Sequence, residues 1–184
     1  MSKLIVTEFV TMDGVMEAPG GEASHPHTGW TMAYENEGQW SPIEEMQSLD
    51  ALLIGRVTYE SFAGAWPNYE GEMADAMNGA RKVVVSSTLT DPEWNNTTVL
   101  SGDIVEGVKA LKAEGEGTIL VGGSAQLVHL LLEHDLVDEL RLIVYPVMIG
   151  CGLKVFPEST RKVAWTLADT KPYASGIRVD TYTR

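Results

Sequence analysis

The sequence predicts an α/β fold: a central mixed, mostly parallel sheet with helices on both faces and a C-terminal antiparallel hairpin. Short runs of aliphatic and β-branched residues alternate with segments of helical periodicity along most of the chain, which favours parallel pairing through right-handed crossovers. Several of these runs end directly in glycine or serine, as buried strands often do. The segments 163–170 and 176–183 follow each other without an intervening helix, which indicates a hairpin.

The elements of the N-terminal half follow from local patterns. A run rich in Leu, Ile, Val, Thr and Phe predicts a first strand over 3–12, and Asp13-Gly14 breaks it. Residues 17–30 form the longest loop. Ser41-Pro42-Ile43-Glu44 is typical of a helix start, with serine at the N-cap, proline at N1 and glutamate at N3. A short buried strand over 51–54 and a helix over 58–63 follow.

The C-terminal half repeats this alternation. Strands are expected over 81–87, 97–100 and 118–121, and a further strand ends before Pro146. Asp103 and Glu106 have the spacing of a capping box, which predicts a helix with Ile104, Val105, Val108 and Leu111 facing inward. Ser124 is a plausible N-cap for the helix after the Gly-Gly turn.

Composition limits the class of protein. A chain of 184 residues suits a single domain over 1–184 with a substantial core. Thirteen Lys and Arg against 26 Asp and Glu give a formal net charge of −13, which argues against nucleic acid or an anionic membrane as the main partner. The single cysteine, Cys151, allows no intramolecular disulfide, and no apolar leader or membrane-length span is seen. We therefore expect a cytoplasmic protein that acts on a small molecule.

Polar or glycine residues follow three predicted strands directly: Gly55-Arg56, Ser86-Ser87 and Gly122-Gly123-Ser124. Ligands of open α/β sheets bind outside the carboxyl ends of the strands. A strand that leads through glycines to a helix N-terminus offers free N–H groups and a positive dipole end, which suits a nucleotide phosphate. The alternative is that these glycines and serines only form turns.

Several motifs resemble a known superfamily. Leu53-Ile-Gly-Arg-Val-Thr-Tyr-Glu resembles the Gly-Arg-x-Thr-aromatic-Glu motif of dihydrofolate reductases, and Val84-Val-Ser-Ser and Leu120-Val-Gly-Gly-Ser are similar to their paired-serine strand end and Gly-Gly turn. A closer resemblance is to the reductase domain of bacterial riboflavin biosynthesis, the RibD C-terminal family, with its stand-alone relatives. The segments that carry it are Met12-Asp-Gly-Val, Leu136-Val-Asp-Glu-Leu-Arg-Leu, Pro146-Val-Met-Ile-Gly-Cys-Gly and Ser175-Gly-Ile-Arg-Val.

The resemblance implies a dihydrofolate reductase-like fold that binds NADPH and transfers a hydride to a small heterocyclic, carbonyl or imine substrate. It also implies a homodimer. NADH remains an alternative, because Ala125 stands where the reductases often carry arginine. The residues that the resemblance assigns to the cofactor are Val15, Gly55, Arg56, Thr58, Ser86, Ser87, Gly122, Gly123, Ser124, Ala125 and Gln126.

Candidates for proton transfer are Asp13 first and Glu35 second, with water as the alternative donor. Asp13-Gly14 can equally be a simple turn. His25 and His27 offer only two metal ligands with no evident third, so no metal site is predicted. A second hypothesis of a different class is a non-catalytic nucleotide-binding or dimeric scaffold protein with the same fold.

Overall fold

The structure, a computed structural model, describes residues 1–34, 41–159 and 161–184; the side chain of Glu44 lies outside this description. Among the described residues, no helix has the length and hydropathy that a membrane crossing requires. The elements, in chain order, are β1 (Lys3–Thr11), α1 (Ile43–Met46), β2 (Leu49–Gly55), α2 (Arg56–Ala65), a 3-10 turn (Trp66–Asn68), α3 (Glu72–Gly79), β3 (Lys82–Val85), β4 (Thr97–Leu100), α4 (Ile104–Glu114), β5 (Thr118–Val121), α5 (Ala125–Glu133), β6 (Glu139–Tyr145), β7 (Thr166–Pro172) and β8 (Arg178–Thr183).

The eight strands form one sheet in the order β4-β3-β2-β5-β1-β6-β8-β7. β2 pairs in parallel with β3 and β5, and β5 also pairs in parallel with β1. β8 pairs antiparallel with both β6 and β7. The α/β class, the mostly parallel sheet and the C-terminal antiparallel hairpin are therefore confirmed.

The chain divides into two compact units, and β1 contributes to both. The first unit comprises Met1–Val6 and Ser41–Val137, and the second comprises Thr7–Trp40 and Asp138–Arg184. Each unit has its own apolar core. The buried core of the first includes Ile5, Leu52, Ile54, Met77, Val84, Trp94 and Leu120. That of the second comprises Trp30, Ile143, Tyr145, Ile177 and Val179. The single domain over 1–184 stays a prediction.

Strand register in the first unit brings three strand ends to one edge. Gly55 lies beside Val85 in the β2–β3 pair, and Leu53 lies beside Val121 in the β2–β5 pair. The segments after β2, β3 and β5 therefore leave the sheet next to one another. These are the segments in which the sequence predicted a binding site.

One local prediction was wrong, and one helix was not predicted. The first helix starts at Ile43 with Pro42 at its N-cap, no side chain caps it, and it has only four residues; Ser41 is not the N-cap. It ends early because Leu49 enters β2 and pairs with Thr118 of β5. Helix α3 was missed, since glycines lie at its N-cap and its last position and no capping side chain marks its start.

One of the two hydrogen bonds of the predicted capping box is present at the start of α4. Asp103 accepts a hydrogen bond from the backbone N–H of Glu106 at 3.1 Å. The carboxylate of Glu106 does not return the bond but accepts from Lys109 Nζ at 2.7 Å. Val108 and Leu111 are buried, as predicted, whereas Ile104 and Val105 are half-buried.

Lys82, the first residue of β3, is fully buried in the first unit. Its Nζ donates to the carbonyls of Met77 and Asn78, at 3.0 Å each, and lies 4.2 Å from the ring centroid of Trp94. The ammonium thereby caps the C-terminal end of α3, where a cation is favoured. Desolvation by burial lowers the pKa of Lys82 to about 8.

Candidate functional site

Two helices of the first unit begin side by side at the carboxyl ends of adjacent strands. α2 starts at Arg56, directly after β2, and α5 starts at Ala125, shortly after β5. Their N-cap residues, Gly55 and Ser124, make no side-chain capping bond, whereas Asp103 caps α4. Two uncapped helix starts thus present backbone N–H groups and positive dipole ends, an arrangement suited to an anion.

Charge at the helix starts supports the same reading. Glu72 and Asp75 lie in the first turn of α3, and Glu106 lies in the first turn of α4. Neither α2 nor α5 has an acidic residue in its first turn. Carboxylates stabilise helix N-termini, so the two helix starts at the predicted site lack a stabilisation that α3 and α4 have.

The turns that precede these helices pack against each other through glycine. The N–H of Gly55 donates to the carbonyl of Gly123 at 3.2 Å. A Cβ on Gly55 would overlap Ser124 Oγ, and one on Gly123 would lie 2.7 Å from Thr58 Oγ1. Gly123 also has φ +83°, a conformation that favours glycine, and the Gly123–Ser124 peptide bond is cis. Both glycines are therefore required by the contact between the turns.

Gly122 differs from these two glycines, because no atom lies within 4 Å of a Cβ placed on it. The half-buried backbone at this position therefore borders open space rather than a neighbouring side chain. A ligand can approach the chain closely here, beside the start of α5. The residues present fit a pyrophosphate group, which needs close backbone approach and N–H donors.

Arg56 is the cation of the site, and its present partner is Glu60. Both carboxylate oxygens of Glu60 accept from Arg56 Nη1, at 2.7 and 2.8 Å. The two side chains are 42% and 52% exposed. The quoted motif included Glu60, but no role was predicted for this residue, because the helix was predicted to start at Thr58. With α2 starting at Arg56, the i,i+4 spacing would have indicated the pair.

The serines after β3 differ in their environments. Ser86 is buried, and its Oγ accepts from the backbone N–H groups of Thr88 and Leu89, at 3.1 and 2.9 Å. This hydroxyl shapes the turn after β3. Ser87 is exposed and lies two residues beyond the end of β3, where Val85 is paired with Gly55. Ser87 therefore remains the more accessible hydroxyl of the pair.

The remaining two cofactor candidates of the first unit lie in the first turn of α5. Ala125 is buried, so it contributes packing and a backbone N–H group, whereas Gln126 is exposed. Neither side chain brings a positive charge to this helix start. Arg56 is therefore the cationic residue among the predicted cofactor contacts.

Asp13 lies in the second unit and holds a turn together. Its carboxylate accepts from Thr11 Oγ1 at 2.5 Å and from the backbone N–H of Gly150 at 2.8 Å. The bond from Thr11, opposed in part by burial and aided by backbone N–H groups, lowers the pKa of Asp13. A carboxylate that is ionised and accepts two hydrogen bonds is suited to a structural role and not to proton donation. Glu35 lies outside the described residues.

Val15 is fully buried in the second unit, and its backbone forms hydrogen bonds with Thr11. This burial favours packing over contact with a ligand. Trp30 is likewise a core residue, and its indole N–H donates to the carbonyl of Glu17 at 2.8 Å. Met32 is largely exposed, and Trp40 lies outside the described residues.

His25 connects two loops of the second unit. Its Nδ1 accepts from the backbone N–H of His27 at 3.0 Å, and its Nε2 lies 3.0 Å from the carbonyl of Cys151. Both ring nitrogens therefore have protein partners. Within 1–34, 41–159 and 161–184, no group of three or more His, Cys, Asp or Glu residues is placed to hold a metal ion.

The mixed sheet with its C-terminal antiparallel pair is a dihydrofolate reductase-like fold. The solved structure of dihydrofolate reductase from Enterococcus faecalis, complexed with NADP(H) and RAB-propyl, matches with a TM-score of 0.62 at 18% identity, over 99% of this chain and 96% of that one. A protein provisionally assigned to riboflavin biosynthesis, from Shewanella sp. PV-4, matches with a TM-score of 0.79 at 19% identity, over 99% and 98% of the two chains. These similarities establish the fold.

The chain belongs to the family described as the RibD C-terminal domain, which matches residues 2–179. A curated relative is the uncharacterized protein YyaP of Bacillus subtilis (strain 168). It is 25% identical over 184 residues, covering 95% of this chain and 91% of YyaP. The predicted membership is thus confirmed, and the fold is that of reductases.

Proposed function

We propose that the protein is an NADPH-dependent reductase of a small heterocyclic, carbonyl or imine substrate. The observation that carries the proposal is the pair of uncapped helix starts, α2 and α5, joined by the Gly55–Gly123 hydrogen bond with Arg56 beside them. Two dipole ends, a close-approach glycine and a guanidinium form a site for a dinucleotide. The NADP(H) bound by the Enterococcus faecalis enzyme of similar fold supports the choice of cofactor.

Each residue would contribute a defined interaction. Arg56 would bind phosphate oxygens through the Nε and Nη2 donors that Glu60 leaves unused. The backbone at Gly122 would lie against the pyrophosphate. The hydroxyls of Thr58 and Ser87 are further donors for phosphate and ribose oxygens. When bound, the reduced nicotinamide supplies the hydride, and the protein contributes orientation and the exclusion of water.

The proton required by the reaction is proposed to come from water. Asp13 carries two hydrogen bonds and a lowered pKa, so its carboxylate has no proton to give near neutral pH. Glu35 is the alternative donor. Within the substrate class, a ribosylated pyrimidine is the first compound to test. The resemblance to the reductase domain of riboflavin biosynthesis supports this choice, as does a protein of similar fold from Corynebacterium diphtheriae that is named a pyrimidine reductase-like protein.

The test is a tryptophan fluorescence titration with NADPH and, separately, with NADH. Arg56→Gln is expected to weaken NADPH binding at least about tenfold, the ordinary loss for one charge-assisted phosphate contact. Arg81→Gln is the matched control. Arg81 also pairs with one glutamate, Glu114, at 2.9 Å with 46% and 55% exposure, but it precedes β3 rather than following a strand.

Loss of affinity in both arginine variants, or in neither, would refute the assignment of Arg56 to the cofactor. Turnover is then measured as the disappearance of the reduced nicotinamide with a panel of ketones, imines, a pterin and the ribosylaminopyrimidine. Nucleotide binding without turnover of any member would select the non-catalytic scaffold. Binding of neither nucleotide would exclude the reductase.

We also propose a cytoplasmic homodimer, in which the region of β6 and the residues after it provide the contact. Leu142 is buried within its own unit, so Val144 and Val147, both half-buried, are the better candidates in this region. Sedimentation analysis would settle the oligomeric state. A monomer at micromolar concentration would exclude the dimer.

A further inference from the structure

We infer that Glu60 is a specificity-determining residue of the candidate site, which weakens the binding of phosphorylated ligands in proportion to their negative charge. The inference rests on the proposed function, because it takes Arg56 as a contact for cofactor phosphates. Glu60 would oppose cofactor binding, whereas the other residues proposed for the site favour it. Discrimination between ligands often uses such an opposing element.

The position of Arg56 is unfavourable for its own helix. A cation in the first turn faces the positive end of the helix dipole. The order of the pair, with arginine N-terminal to glutamate, is also the weaker orientation for an i,i+4 ion pair. Stability of α2 therefore does not explain a guanidinium at this position. An anion bound there would explain it.

The Glu60 carboxylate binds the guanidinium of Arg56 as such an anion would. Its two oxygens lie 2.7 and 2.8 Å from the same nitrogen, Nη1. No acidic residue lies in the first turn of α2, and the Glu60 carboxylate bonds the side chain of the arginine that begins this helix. The pair is 42% and 52% exposed, so an arriving ligand can reach Arg56. A phosphate bound to Arg56 would therefore lie close to a second negative charge.

Repulsion between Glu60 and the ligand grows with the charge of the ligand. NADPH carries one phosphate group more than NADH, so Glu60 penalises NADPH more. Glu60→Gln removes the charge while the amide oxygen can still accept from Arg56. We expect it to tighten NADPH about three- to tenfold and NADH by less, a range suited to charges several ångströms apart near a protein surface.

The experiment compares the NADPH and NADH affinities of wild type, Glu60→Gln and Glu114→Gln by fluorescence titration at two salt concentrations. Glu114→Gln removes the same charge from an equally exposed arginine pair, that of Arg81, at the opposite end of the strands. We expect the ratio of NADPH to NADH affinity to rise in Glu60→Gln alone and the gain to shrink with added salt. A thermal melt shows whether the variants stay folded.

If the ratio of NADPH to NADH affinity is unchanged or lower in Glu60→Gln, the inference is overturned. The proposed function still stands in that case, provided that the wild-type protein binds the nucleotide. An equal change in Glu114→Gln would also overturn it, since the effect would then follow net charge. Failure of wild type to bind either nucleotide would refute the proposed function and the inference together.

Discussion

Substitution of Gly123 by alanine tests whether contact between the two glycine turns builds the candidate site. A Cβ at this position would lie 2.7 Å from Thr58 Oγ1, and the backbone has φ +83°. A left-handed conformation costs a non-glycine residue roughly 1–2 kcal/mol, and overpacking costs roughly 1–3 kcal/mol. We therefore expect Gly123→Ala to lower the free energy of unfolding by about 2–5 kcal/mol, the sum of the two costs, measured by urea denaturation with the five tryptophans as probes.

The two contributions can be separated by a double-mutant cycle. Without Oγ1 and Cγ2 of Thr58, the nearest remaining atom to the new Cβ is Thr58 Cβ at 3.7 Å, an ordinary contact. In a Thr58→Ala background, Gly123→Ala should therefore cost only the backbone share, roughly 1–2 kcal/mol. Gly102→Ala is the control: its φ is +81°, close to that of Gly123, and nothing lies within 4 Å of a Cβ placed on it. If Gly123→Ala costs the same with and without the Thr58 side chain, Gly123 does not pack against the first turn of α2 as described.

Two further predictions concern titratable groups. Lys82 has a pKa lowered from 10.5 to about 8, so the unfolded chain binds more protons between these values and stability should rise with pH across this window. The difference in denaturation midpoint between wild type and Lys82→Met, measured as a function of pH, should show this rise. If the difference does not change with pH, the three partners of the ammonium keep its pKa near the ordinary value. Asp13 has a lowered pKa, so its contribution is present at neutral pH and is lost as the pH falls through the folded pKa. Asp13→Asn should cost about 1 kcal/mol at pH 7, and its midpoint should converge with that of wild type in acid. If the midpoints still differ at a pH below the folded and unfolded pKa values of Asp13, the lost stability comes from the change of side-chain shape and not from the charge. If Asp13→Asn also leaves turnover intact, the carboxyl group is not the proton donor.

Much of the site was predictable because it depends on local backbone chemistry. Gly55 and the Gly122-Gly123 pair each end an apolar run, and that pattern indicated a turn at a strand end. The roles of individual side chains were less predictable. The hydroxyl of Ser86 accepts a hydrogen bond from the backbone of its own turn, and the guanidinium of Arg56 donates to Glu60. Each depends on where a helix or turn starts to within one residue, which pattern analysis does not resolve.

The alternation of strands and helices, the acidic surface and the glycines at the strand ends were determined by the sequence itself. Hydrophobic periodicity and glycine conformation depend on residues close together in the chain. The register of β2 between β3 and β5, and the fit of Gly123 against Thr58, were decided by tertiary structure. Register and packing join segments far apart in sequence, so they depend on how side chains from several elements fill one space.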